Sequence, residues 1–357
     1  MRRSIAFYVH HHGHGHTSRA RALIDALSLP ATVLTSAPAG PGTFGDASVV
    51  ELPRDDGESE TTDVPTGVPA HLHYAPLGIP GLRERTARLA RFLADEAPAV
   101  LVVDVSAEVA QLARIAGVPP VVVRQHGTRW DPAHVAAYDA AVALLAPFGR
   151  ELEEPDAPEQ IRRRTFYAGG LSRPSPDGSV PVDDVRRTVR RQLGWGTHEP
   201  GVVVLRGSGG SGPAAGDLRA AMRSTPDHRW VVVGREDDAD DVPSTGWVDD
   251  PLPYLAAADV VVGSAGHNTV MEVALLRRPF VCVPEDRPFD EQRRKAERLR
   301  ELDLAEVVDR WPGPADWPAV LTRARIRGGG RLGRIADPEA ASRAASWLTR
   351  LADGFAA

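Results

Sequence analysis

The chain has a single cysteine, Cys282, which excludes a disulfide framework and any cysteine-based zinc site and suits a reducing cytoplasm. Lysine is as scarce: Lys295 stands alone among abundant arginines. The formal charge of −6 argues against a nucleic-acid partner, because nucleic-acid binders are normally basic. No run of about 18 uncharged apolar residues occurs, so no membrane span is expected. The opening stretch, Met1–His16, has too short an apolar run for a signal peptide and reads as a strand. These absences point to a cytoplasmic protein, monomer or homodimer, with no indicated membrane contact. What is present is ordinary globular material, 42% hydrophobic and 25% charged, over 357 residues. At about 150 residues per domain, that length predicts two domains.

Short apolar runs alternate with amphipathic stretches. Ile5–Val9, Ala31–Thr35, Val100–Val103 and Val121–Val123 read as strands, as do Val202–Leu205, Trp230–Val233, Val260–Val262 and Phe280–Val283. Uninterrupted β-branched strands between helices are the signature of parallel sheets covered on both faces. The expected class is α/β, with two doubly wound, Rossmann-like domains. Alternation breaks in the Pro/Gly/Ser-rich stretch 169–184, which places a first domain at 1–168 and a second at 185–335. A helix over 336–357 is expected to pack back on the first domain. The irregular stretch Pro53–Pro80 is either a solvated loop or an element covering a substrate.

In the second domain, strand Val202–Leu205 runs into the glycine-rich loop Arg206–Gly212, which includes Ser208 and Gly209. Such a turn lets an anion reach the backbone and a helix N-terminus, or is simply tight. The loop lacks both the GxGxxG spacing and the P-loop ending. A later strand ends at Gly263, and Ser264, Gly266, His267, Asn268 and Thr269 open the next helix. Their hydroxyls and amides could hold a diphosphate without a metal. Glu272 lies three residues on, either as a ribose ligand or as the capping-box partner of Thr269. Glu291 and Gln292 start another helix, where a carboxylate and an amide suit sugar hydroxyls or merely an acidic helix start.

This segment resembles the nucleotide-sugar signature of two-domain GT-B glycosyltransferases, most nearly the family 28 group. The resemblance covers about forty residues, Ala258–Leu299, in the order strand, small-x-Gly-x-x-Thr-x-x-Glu, strand, Pro-rich loop, acidic-Gln. It implies two domains facing a cleft, with donor phosphates at Ser264, Gly266, His267, Asn268 and Thr269 and at the Ser208–Gly209 loop. It implies Glu272 for the ribose, Trp247 and Val248 for the base, Glu291 and Gln292 for the transferred sugar, and Arg173 near the donor. Lys295 departs from the pattern, in which Asn is common.

His10–His16 places five histidines in seven residues between the first strand and first helix. A glycine-interrupted loop with no nearby carboxylate does not supply convergent metal geometry, so no metal is expected. The better reading puts His16 at the mouth of the sheet, with Thr17 or Ser18 capping the helix and His10, His11 and His12 at the strand end or solvated. The Gly-His loop also resembles the first-domain loop of the same glycosyltransferases, which implies His16 as base and Arg19 near the acceptor. Asp104 follows the Val100–Val103 strand as base, histidine-orienting group or helix cap; Gln125 and His126 follow the next strand as acceptor ligands.

The expected activity is metal-independent, inverting transfer of a sugar from a nucleoside diphosphate sugar, a UDP-sugar, to the hydroxyl of a small soluble acceptor, with no cofactor. The alternatives are a nucleotide-sugar 2-epimerase and a non-catalytic nucleotide-sugar-binding protein.

Overall fold

Val-rich strands that bury both faces need a helix layer on each side, and the computed structural model shows that arrangement twice. It describes residues 1–11, 14–59, 67–172, 182–207, 210, 212–234 and 241–356. By spatial contact the chain divides into two units: Met1–Phe148, Pro155–Leu171 and Glu339–Ala357 form one, and Gly149–Glu154 with Ser172–Pro338 the other.

The first unit runs β1 (Arg2–Val9), α1 (His14–Asp25), β2 (Ala31–Thr35), β3 (Ser48–Glu51), α2 (Pro80–Glu96) and β4 (Pro98–Asp104). It continues with α3 (Ala107–Ile115), β5 (Pro120–Val123), α4 (Pro132–Ala140), β6 (Ala143–Ala146), α5 (Glu159–Arg164) and β7 (Thr165–Tyr167). The strands form one parallel sheet in the order β3-β2-β1-β4-β5-β6-β7. Strand order reverses between β1 and β4, where Tyr8 pairs with Val103.

The second unit runs α6 (Val182–Gln192), β8 (Gly201–Leu205), α7 (Ala215–Ser224), β9 (Arg229–Val233), α8 (Leu252–Ala257) and β10 (Val260–Gly263). Then come α9 (His267–Leu275), β11 (Phe280–Cys282), α10 (Glu291–Glu301), β12 (Glu306–Val307) and α11 (Trp317–Arg327). Its parallel sheet has the order β12-β11-β10-β8-β9, reversing between β10 and β8.

The last helix, α12 (Ala340–Ala356), belongs to the first unit. Ala340, Ala344, Leu348 and Ala352 recur every fourth residue, form one stripe, and bury against Ile5, Phe7 and Val100 of the sheet. The opposite face of that sheet is covered by Leu89, Leu93, Val109, Ala110 and Ala137 from α2, α3 and α4. Among the described residues no helix is long and apolar enough to cross a membrane.

Candidate active site

Open parallel sheets receive ligands beyond the carboxyl ends of the strands, where strand order reverses. In the first unit that point lies between β1 and β4. Helix α1 starts at His14, so Thr17 and Ser18 lie inside it rather than capping it, and His16 is a first-turn residue. His16 Nδ1 lies 3.1 Å from Oδ2 of Asp104, the last residue of β4. Arg19, nearly one turn further along α1, donates to the same carboxylate from Nε (3.1 Å) and from Nη2 (2.9 and 2.8 Å). Nδ1 of His16 also lies 3.1 Å from Arg19 Nη2, which only donates, whereas the carboxylate only accepts, so Nδ1 faces one donor and one acceptor. Burial alone would raise the Asp104 carboxyl, but the Arg19 guanidinium and then His16 hold it well below the ordinary carboxylate range.

Asp104 is not a helix cap. Ser106 caps α3, accepting from Val109 N–H at 3.2 Å. Between them Val105 has φ +64, a left-handed conformation that a β-branched residue adopts at a cost of about 1–3 kcal/mol. Such strain concentrates at functional strand ends. Arg19, expected beside the acceptor, is buried and spends its guanidinium on Asp104 and His16. His126 also departs from its expected acceptor role: it is 1% exposed and stacked on Phe148 at 4.0 Å. Gln125 accepts from Arg129 Nη2 at 3.1 Å. His11 is not solvated either; its side chain is buried between Ser36 and Asp55.

Within the first unit is a cavity of about 430 Å³ that reaches Val105, the residue after Asp104, though neither His16 nor Asp104 lines it. Tyr8, His10, Leu82, Leu89, Val105 and Ser106 line it, together with Asp55, His73 and Tyr74 of the irregular stretch. His10 reaches His16, with ring centroids 5.9 Å apart. The described part of the irregular stretch is therefore built into a cavity wall. Buried Arg85 of α2 donates to Pro53 O and Ser36 Oγ, both at 2.9 Å, and pairs with Asp55 at 3.6 Å. Glu108 Oε1 accepts the N–H groups of His73 (2.5 Å) and Tyr74 (3.0 Å).

His73, Asp131 and His134 converge closely enough to be considered as metal ligands. Their hydrogen bonds argue for a latch instead. Arg129 Nη1 donates to His134 Nε2 at 3.1 Å, which leaves the His134 proton on Nδ1, facing Asp131. A metal at Nδ1 would push that proton to Nε2, against a guanidinium already held by His126 O and Gln125. Burial, outweighing the Asp131 bond, lowers the His134 pKa to about 4, so it is neutral near pH 7. His73 Nε2 reaches the other Asp131 oxygen at 3.1 Å, tying the cavity wall to α4. Asp131 also caps α4, accepting from Ala133 and His134 N–H. Asp131→Ala is expected to cost about 2 kcal/mol, the upper end for a lost cap, read as a lower urea midpoint at unchanged slope.

In the second unit the α9 start brings Ser264, Gly266, His267, Asn268 and Thr269 together. Gly266 is the N-cap and no side chain caps the helix, so Thr269 is the third helical residue and the capping-box reading of Thr269 and Glu272 does not hold. The first-turn amides have no intrahelical acceptor. Gly263 is required by close packing: a β-carbon there would lie 2.9 Å from Thr269 Cγ2. Glu272 is buried in the helix. Gln292 is buried too, and its Oε1 accepts the N–H groups of Ala265 (3.1 Å) and Glu285 (2.9 Å), so only its Nε2 amide is left to meet a ligand. Glu291 is half-buried at the start of α10, and Lys295 is buried one turn on.

Trp247 is exposed and Val248 half-buried. They follow Gly246, whose carbonyl accepts Gly234 N–H at the end of β9 at 3.0 Å. Gly234 has φ +90, and a side chain there would strike the Arg206 carbonyl. Ser208, Gly209 and Arg173 lie outside the described residues, as do Asp238 and Asp240, two carboxylates at a spacing that could share a cation.

Residues 218–311 match the glycosyltransferase family 28 C-terminal domain. MurG of Acinetobacter baumannii superposes with TM-score 0.65 over 97% of this chain and 99% of its own, at 13% identity. The fold is GT-B. Arabidopsis thaliana UGT89C1, solved in complexes with quercetin and with UDP, shares this GT-B fold with TM-scores of 0.67 and 0.66. The two complexes align at 15% and 14% identity, each over 99% of this chain and over 99% and 100% of their own. An uncharacterized glycosyltransferase of Methanopyrus kandleri is 30% identical over 160 residues, 43% of this GT-B chain. The match spans 44% of that relative, under half its length. The family 28 match thus lies within the second unit, and the solved structures share the GT-B fold.

Asp131 could have been found by sequence: Asp-Pro before an Ala-rich stretch is a cap followed by a first-turn proline. Arg85 and His73 carried no such signal, because their partners lie 30 to 77 residues away.

Proposed function

We propose that the chain transfers a sugar from a UDP-sugar to an acceptor hydroxyl with inversion, without a metal or cofactor, in the cytoplasm. The observation that carries this reading is the His16–Asp104 pair at the switch point of the first sheet, whose neighbours His10 and Val105 line the cavity. In this reading the His16 proton sits on Nδ1 toward Asp104, Nε2 takes the acceptor proton as the hydroxyl attacks, and Asp104 stabilises the imidazolium that forms. The departing diphosphate gathers charge, which the uncapped start of α9 meets with N–H groups and the hydroxyls of Ser264 and Thr269. Glu272 takes the ribose, Trp247 and Val248 the base, and Glu291 with the Gln292 amide the transferred sugar. Attack opposite the leaving group inverts the anomeric carbon.

The cavity favours transfer over epimerisation, which needs no acceptor. Its size and its tyrosine and leucine walls suit a hydroxylated small molecule with an apolar body, of the kind quercetin is in the Arabidopsis complex. A thermal-shift screen of UDP, TDP and GDP tests the donor: UDP at a hundredfold excess over Kd adds about 2.7 kcal/mol of stability. Mass spectrometry with UDP-sugars and phenolic acceptors, with and without EDTA, then tests the reaction. Epimer formation from UDP-N-acetylglucosamine alone would defeat transfer, and loss of turnover in EDTA would defeat metal independence.

A further inference from the structure

We infer that Glu285 and Arg287 form an internal ion pair that the donor must open: Glu285 occupies the space beside Gly210 until a nucleoside diphosphate displaces it, and Arg287 then pairs with the diphosphate. This rests on the donor site proposed above and adds two residues to it.

Strand β8 ends at Leu205 and α7 starts at Ala215, and Gly210 lies between them in the chain. A methyl group on Gly210 would coincide with the Glu285 carboxylate, whose oxygens and carbon are the atoms nearest that position. The carboxylate therefore lies against the backbone of Gly210, between β8 and α7, and turns from strand to helix are where anions are received. Its main chain is fixed from the other side. The Glu285 N–H donates to Gln292 Oε1, the oxygen that also accepts Ala265 N–H just before α9. One buried carbonyl thus ties the Pro284–Pro288 loop to the turn that opens α9. The cation beside the carboxylate is Arg287, with Nη2 2.9 Å from Oε2. These side chains remain 27% and 29% exposed, so both have room to move.

A carboxylate and a diphosphate cannot both occupy one anion-receiving turn. The diphosphate carries more charge and offers oxygens that match the planar guanidinium fork. Its arrival expels the Glu285 carboxylate to solvent and leaves Arg287 to the phosphates. No covalent bond changes.

The test is calorimetric titration of UDP into the full chain as wild type, Glu285→Gln and Arg287→Gln, at low and high salt, with melting temperatures checking the fold. Glu285→Gln keeps the shape and removes the competing charge, so UDP is expected to bind at least about threefold tighter. Arg287→Gln is expected to bind about threefold or more weakly, with a flatter salt dependence. The inference is overturned if Glu285→Gln binds UDP no more tightly than wild type. It is equally overturned if that change weakens only the UDP-sugar, which would make Glu285 a ligand of the transferred sugar. If neither form binds UDP, TDP or GDP, the donor reading itself fails and takes the inference with it.

Discussion

His16→Ala is expected to lower kcat by about 10²- to 10⁴-fold, the range that a positioned general base supplies, with little change in the affinity for UDP. The asymmetry follows from the placement of the two groups of residues. His16 stands at the end of the first sheet, whereas the uncapped helix start and its hydroxyls belong to the second. Calorimetry with UDP and steady-state rates with a saturating acceptor separate the two effects. Equal loss of UDP affinity and turnover would assign His16 to donor binding; unchanged turnover would remove it from the chemistry. His16→Gln serves as a second variant, since it keeps a polar side chain without a titratable base.

Asp104→Asn is expected to destabilise the fold by about 3–5 kcal/mol as well as to reduce turnover, because Arg19 would be left buried without its counter-charge. Replacing both members of the pair, Asp104→Leu with Arg19→Met, should restore most of that stability and none of the turnover. Urea midpoints measured beside rates decide the matter: a double variant no more stable than Asp104→Asn would mean that the pair is not the source of the loss. The same carboxylate sets an acid limit. Its folded pKa is depressed, so its contribution is fully present above the unfolded value of about 3.9 and is lost as pH falls below that toward the folded value. Wild type should therefore lose stability below about pH 4 more steeply than the Leu/Met double variant. Parallel acid curves for the two would refute this.

Much of the fold was legible because its strands are continuous apolar runs. Val100–Val103 and Val260–Val262 admit no reading but buried parallel strand when helices flank them. Short edge strands were less visible: Ser48–Glu51 and Glu306–Val307 carry charge, and only pairing with Ala31–Thr35 and Phe280–Cys282 makes them strands. Helix starts were misplaced for a related reason. The histidines ahead of Thr17 hid the earlier beginning of α1 at His14, and the T-x-x-E spacing of Thr269 and Glu272 mimicked a capping box although Gly266 is the cap.

Sequence by itself determined the doubly wound class, the glycine-marked strand ends and the residues types gathered there, because periodicity and turn chemistry are local properties of the chain. Only the tertiary structure decided which of those residues meet. Asp104 lies 85 residues beyond Arg19, and His73 lies 58 before Asp131. The parallel pairing of β1 with β4 joins the first pair, and a cavity wall folded onto α4 joins the second. Contacts over such separations depend on strand order and packing, which no local pattern encodes.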